Sequence, residues 1–135
     1  MSDADSRGPQ VAPAEDLYRA IHVPDWWDHR VDPPRVRSFA FKVDSPFSVN
    51  VASMIGLDGA IHHLQQVLHC PEGGIVCFNT GVARSFGFDA RHERDPDYPD
   101  NEAHAHVYYD GSPSSRKRAA KSLAEKCRTA HPPSR

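Results

Sequence analysis

The chain is short of the residues that staple, anchor or span. Among its 135 residues there are only three cysteines, Cys70, Cys77 and Cys127. The count is odd and no Cys-x-x-Cys spacing occurs, which argues against a disulfide framework and against a cysteine-held zinc. Three reduced, partly buried thiols are expected instead. No run approaches the roughly 18 apolar residues of a membrane span. The opening Met1-Ser2-Asp3-Ala4-Asp5-Ser6-Arg7 has neither the basic region nor the apolar stretch of a secretory leader, so a soluble, cytoplasmic protein with no membrane partner is expected. Nucleotide fingerprints are missing too. Gly73-Gly74 precedes an apolar run rather than following one, the wrong side for a dinucleotide or phosphate-binding turn. Asn79-Thr80-Gly81 does follow that run and opens a short helix that carries Arg84, so its N–H groups are a minor candidate for holding an anion.

What is present is unevenly distributed. The net charge of −2 conceals a body, residues 1–111, with 9 Lys/Arg against 17 Asp/Glu, and a tail, residues 112–135, with 7 Lys/Arg against Glu125 alone. Such a split marks either an interaction face or a basic tail docked on its own acidic body, and the near-neutral total favours docking.

The pattern along the chain predicts one α+β domain over 16–130, between a disordered arm at 1–15 and a frayed tail at 131–135. Leu17, Arg19 and Ile21 alternate as in a first strand, with a short helical turn after Ala14-Glu15-Asp16 as the alternative, and Pro24 ends either. Trp26 and Trp27 lie in a loop that Pro33-Pro34 keeps irregular. Phe39, Phe41 and Val43 predict a second strand, Asp44-Ser45-Pro46 a turn, and Phe47, Val49 and Val51 a third strand. Leu57, Ile61, Leu64 and Leu68 form a helical stripe that Pro71 and Gly73-Gly74 end. Ile75 to Phe78 is apolar throughout, as in a strand buried on both faces. A short helix over 80–86, strands over 88–93 and 104–109, and a basic helix capped by Ser112-Pro113 complete the order β-β-β-α-β-α-β-β-α. That order implies a small, mostly antiparallel or mixed sheet with about three helices packed on it.

The residues that could carry chemistry lie mainly on strands. His104 and His106, two apart on one strand, must share a face, with roots about 7 Å apart. They could converge on zinc, iron or copper if His62, His63, His92, Glu102 or Asp110 supplied a third ligand, or either could serve as a general base. No His-Glu-x-x-His motif accompanies them. Arg19 on the first strand, Ser48 on a central strand and an acid later in the chain, Glu93 or Glu102, stand in a familiar order. The set resembles the ADP-ribosyltransferases, which split NAD and hold the dinucleotide with a first-strand Arg or His, a central Ser or Thr and a later Glu. The resemblance implies NAD as the substrate. The chain departs from that family in having no Ser-Thr-Ser run and no Glu-x-Glu pair, and Glu102 precedes its strand.

Two further surfaces suit partners. Trp26 and Trp27 would anchor another protein if exposed. Arg116, Lys117 and Lys121, with Arg118, Lys126 and Arg128, could contact an acidic partner or nucleic-acid phosphates, although no helix-turn-helix, zinc finger or aromatic RNA-binding strand accompanies them. With no complete active-site motif, the leading expectation is a non-catalytic module that binds another protein through the tryptophan loop or the basic helix. The alternatives are a small enzyme working from its polar strand face and a nucleic-acid binder.

Overall fold

A computed structural model describes residues 7–42 and 46–134. The fold is α+β. Six strands form one sheet, β1 (Asp16–Ile21), β4 (Phe47–Val51), β5 (Gly74–Asn79), β6 (Phe88–His92), β7 (His104–Tyr109) and β8 (Arg128–His131), in the spatial order β6-β7-β4-β1-β5-β8. Every neighbouring pair is antiparallel. A separate two-stranded ribbon pairs β2 (Trp27–Asp28) with β3 (Arg35–Val36).

Alternation on the strands gives the sheet two faces. Leu17, Ile21, Val49, Val51, Phe78, Phe88 and Val107 point to one side, where they meet α2 (Thr80–Ser85) through Ala83 and α3 (Pro113–Lys126) through Ala120 and Leu123. Phe41, Phe47, Phe78 and Phe88 interlock there with ring centroids 5.5 to 6.4 Å apart, the tilted geometry that aromatic quadrupoles favour. The other face carries Tyr18, Ala20 and Ile75. It is covered by α1 (Ala52–His62) and the π-helical turn His63–Val67, through Ala60 and Leu64. The structure breaks α1 at Gly56, whose φ of 70° a side chain would strain, so the helical stripe read from the sequence begins only after this break. Its first member, Leu57, stays exposed.

Several expectations change. The segment Ser38–Phe41 is a 3₁₀ helix rather than a strand. Ala40 and Phe41, adjacent in sequence, are both buried, which a helical turn permits and strand alternation does not. Phe39 is left 46% exposed. Val43 and the turn expected at Asp44-Ser45 lie outside the described residues. Within the expected arm, residues 7–15 are held. Val11 N–H donates to the Ala90 carbonyl at 2.9 Å and His92 N–H to Pro9 at 2.8 Å, so the arm covers the open edge of β6 and buries Val11 completely. At the opposite edge, β8 pairs with β5 where no strand was expected. Arg128-Thr129-Ala130-His131 has no apolar alternation to announce it. Ser112 stands at the N-cap of α3 as expected, but its hydroxyl bonds Ser115 rather than a backbone N–H. Asn79 does cap α2, accepting from Val82 N–H at 3.0 Å. Among the described residues no helix is long and apolar enough to cross a membrane.

Candidate functional site

The sheet is joined unevenly across its middle. β1 pairs with β5 at six positions and β4 with β7 at four, but β1 and β4 pair only at Leu17–Val51 and Tyr18–Asn50. Beyond Tyr18 the two strands are bridged by a side chain. The guanidinium of Arg19 donates through Nε to the Ala40 carbonyl at 2.9 Å and through Nη1 to the Ser48 carbonyl at 3.0 Å. It also lies 4.6 Å from the centre of the Phe47 ring, a cation–π contact in a site only 5% exposed.

A cleft of about 400 Å³ opens where the strands part. Arg19, Ser48 and His104, from three different strands, line it together. So do Tyr18, Asn50, His63, Asp95 and Tyr98, residues that carry no motif of their own. The only trace of the last two in the sequence is an acidic, proline-flanked loop over 95–102 with one tyrosine. That loop is tied down by Asn101, whose Nδ2 donates to Asn50 Oδ1 at 2.7 Å and whose Oδ1 accepts from Ala103 N–H at 3.2 Å. Tyr98 then meets His63 edge-on, centroids 5.5 Å apart.

His104 is the most constrained of the set. It is 5% exposed, and its Nδ1 lies 2.5 Å from the Glu93 carbonyl. A carbonyl can only accept, so Nδ1 carries the hydrogen and the neutral ring presents a lone pair at Nε2. That Nε2 is buried with no hydrogen-bond partner among the described residues. The nearest carboxylate oxygen, Asp95 Oδ2, is 3.9 Å away, too far to bond directly. Desolvation holds His104 neutral by pushing its pKa below the ordinary value, assisted by His106 and opposed by the Glu93 carbonyl and the Asp95 and Glu93 carboxylates. His63 is lowered too, first by desolvation and then by His104. The cleft therefore presents neutral imidazoles near pH 7 beside the Asp95 side chain, with the Arg19 guanidinium engaged behind it on the Ala40 and Ser48 carbonyls.

His106 is a neighbour rather than a member of the cleft. Its ring is 4.7 Å from that of His104, and its Nδ1 meets Glu93 Oε1 at 3.0 Å. The same oxygen accepts from the Tyr108 hydroxyl at 2.6 Å, and Glu93 Oε2 from Gly8 N–H at 2.8 Å. Burial opposes the Glu93 charge, but these bonds outweigh it and hold the carboxyl below its usual value. Burial and the Glu93 bond push Tyr108 up to about 12. Both Nδ1 atoms of the His-x-His pair thus face Glu93. Among the described residues no group of three or more His, Cys, Asp or Glu is arranged to hold a metal.

Other candidates fall elsewhere. Glu102 is not an acid of this site: its side chain is 73% exposed and pairs with Arg94 outside the cleft. Glu93 does not line the cleft and touches it only indirectly, its carbonyl accepting from His104 Nδ1. Trp27 is not an exposed anchor. It is 3% exposed, with its indole N–H donating to the Ile21 carbonyl at 3.3 Å, and Trp26 packs partly buried against the same core. Both cover the core edge. Lys117 and Lys121 are exposed on α3, and Arg116 is half-buried. Cys70, Cys77 and Cys127 are unbridged thiols, each pushed up by burial first of all, which opposes nucleophilic use. Comparison with protein-family models, with curated proteins and with solved structures finds no match, so the cleft itself carries the functional reading.

Proposed function

We propose that the cleft binds NAD and that the protein acts on the bond between nicotinamide and its ribose, as ADP-ribosyltransferases do. The observation that carries this reading is the convergence of Arg19, Ser48 and His104 on one cleft, with an unused buried acceptor at His104 Nε2. The volume lies in the range of small-molecule sites. Each wall has chemistry a dinucleotide uses. Tyr98 supplies an aromatic ring, set edge-on to His63, for a base, Ser48 and Asn50 polar groups for the ribose and phosphates, and His104 Nε2 an acceptor for a ribose hydroxyl. Arg19, bonded to the Ala40 and Ser48 carbonyls, holds the parted strands behind them.

The chemistry asked of the site is modest. Loss of nicotinamide leaves positive charge on the ribose, and electron density drawn toward the ribose hydroxyls stabilises it. His104 Nε2 accepts from one hydroxyl, while Asp95 places a negative charge on the same side. In this reading the two share the role that a strand carboxylate has in the family. An acceptor, water or a nucleophilic side chain, then takes the ADP-ribose. Incubation with NAD followed by chromatographic measurement of nicotinamide tests the proposal. The wild type releases nicotinamide, His104→Ala does not, and Glu102→Gln behaves as wild type. No release by the wild type, together with no NAD binding by calorimetry, overturns it.

A further inference from the structure

The face of the molecule opposite the cleft carries a second feature, independent of the NAD reading. The 3₁₀ helix Ser38–Phe41 and the β2–β3 ribbon pack beside α3, bringing Arg35 and Arg37 against the basic helix. Arg35 reaches the Glu125 carbonyl at 3.5 Å. Arg35, Arg37 and Lys121 line one groove, with Lys117 and Arg118 exposed on the same helix. The basic segment read from the tail is thereby doubled by a stretch of chain some 80 residues earlier. Two carboxylates line the same groove, Asp28, which bridges Arg30 at 2.9 Å, and Glu125, against the three cations. The acidic loop over 95–102 lies with the cleft on the other side of the sheet.

An exposed aromatic ring accompanies the charge. Phe39 follows Ser38, which lines the groove, and is 46% exposed although its neighbours Ala40 and Phe41 are fully buried. Lys42 Nζ sits 4.0 Å from the Phe39 ring centre. A basic groove next to an outward ring is the combination that tracks a phosphate backbone while stacking an unpaired base. An acidic protein surface would use the charge but has no need of the ring, and duplex nucleic acid has no open base to offer it.

We infer that the surface formed by Arg35, Arg37, Phe39 and the exposed lysines of α3 binds single-stranded nucleic acid. Arginine and lysine contact phosphates and Phe39 stacks on a base. The test is fluorescence anisotropy of the full chain with labelled oligothymidylate and oligouridylate of about 15 nucleotides. A duplex of the same length and heparin serve as comparators, over a salt series starting at about 50 mM. Binding of the single strands that weakens steeply with salt is expected. Lys117→Glu with Lys121→Glu reduces both the affinity and the salt slope. Phe39→Ala weakens single-strand binding about five-fold or more and leaves the slope unchanged. Lys117→Gln with Lys121→Gln, which adds no new charge, shows the same trend more weakly, and thermal melting confirms that each variant is folded. The inference fails if single strands do not bind at low salt. It also fails if duplex and heparin bind as well as single strands and Phe39→Ala changes nothing, the pattern of an unselective polyanion surface.

Discussion

Replacing His104 by Asn removes the titrating ring and the Nε2 acceptor but keeps an N–H where Nδ1 meets the Glu93 carbonyl. The magnitude follows from the environment. In the wild type, burial lowers the His104 pKa from its ordinary 6.5, so below that value the unfolded chain takes up a proton that the folded chain refuses. Stability is therefore fully present above pH 6.5 and is lost as pH falls toward the lowered pKa, by about 1.4 kcal/mol for each unit of depression. His63 contributes in the same direction. The groups facing His104 are His106 on its own strand, Glu93 and Asp95 on the loop after β6, and His63 across the cleft. The lowered carboxyls, Asp28, Asp89 and Glu93, add their own acid sensitivity only below about pH 4.5, which leaves a window from 6.5 to roughly 5 to the histidines. Urea unfolding at closely spaced pH values measures the slope there. His104→Asn is expected to cost about 1 kcal/mol at pH 7.5, from lost packing, and to flatten the slope to the share that His63 retains. NMR titration of the imidazole carbons gives the His104 pKa directly. A wild-type stability that is flat between 6.5 and 5, or a variant slope as steep as the wild type's, refutes the reasoning.

Three other perturbations probe the supports of the site. Glu93→Gln removes the charge beside the Tyr108 hydroxyl, so ultraviolet titration should move that tyrosine from about 12 down toward its ordinary value. No movement would mean that burial alone sets it. Arg19→Leu strips the Ala40 and Ser48 carbonyls of their donor where β1 and β4 part, and denaturant unfolding should show a loss of about 2–4 kcal/mol, with Arg19→Lys losing less. Val11→Ala, on the arm that covers β6, should cost about 1–3 kcal/mol and speed amide exchange at His92, whose N–H donates to Pro9.

The sequence was most readable where one physical rule acted alone. The apolar run at Ile75–Phe78, the alternation at His104–Tyr109 and the serine and proline that open α3 became the elements they predicted, although the Ser112 hydroxyl caps no backbone N–H. Reading failed where tertiary packing chose between local options. Phe39, Phe41 and Val43 alternate like a strand, yet Ala40 carries a carbonyl that Arg19 needs, and the segment coils to bury Ala40 and Phe41 together. β8 and the arm at 7–12 have little pattern of their own and are ordered by the sheet edges they cover. For the cleft, strand geometry alone placed His104 on the polar face, and chain order suggested Arg19 and Ser48 as its companions. Asp95 and Tyr98 were hidden because loop residues reach a site through tethers such as Asn101–Asn50, which no periodicity records. Glu102 was legible as an acid near a strand, but its position before the strand leaves it outside, paired with Arg94.

Titration of NAD into the isotope-labelled protein, followed by amide chemical shifts, tests the central claim most directly. The account predicts saturable shifts clustered at Tyr18–Ala20, Ser48–Asn50, Tyr98 and His104, weakened in His104→Asn. Shifts absent at millimolar NAD, or confined to α3 and the Ser38–Phe41 turn on the opposite face, would contradict it.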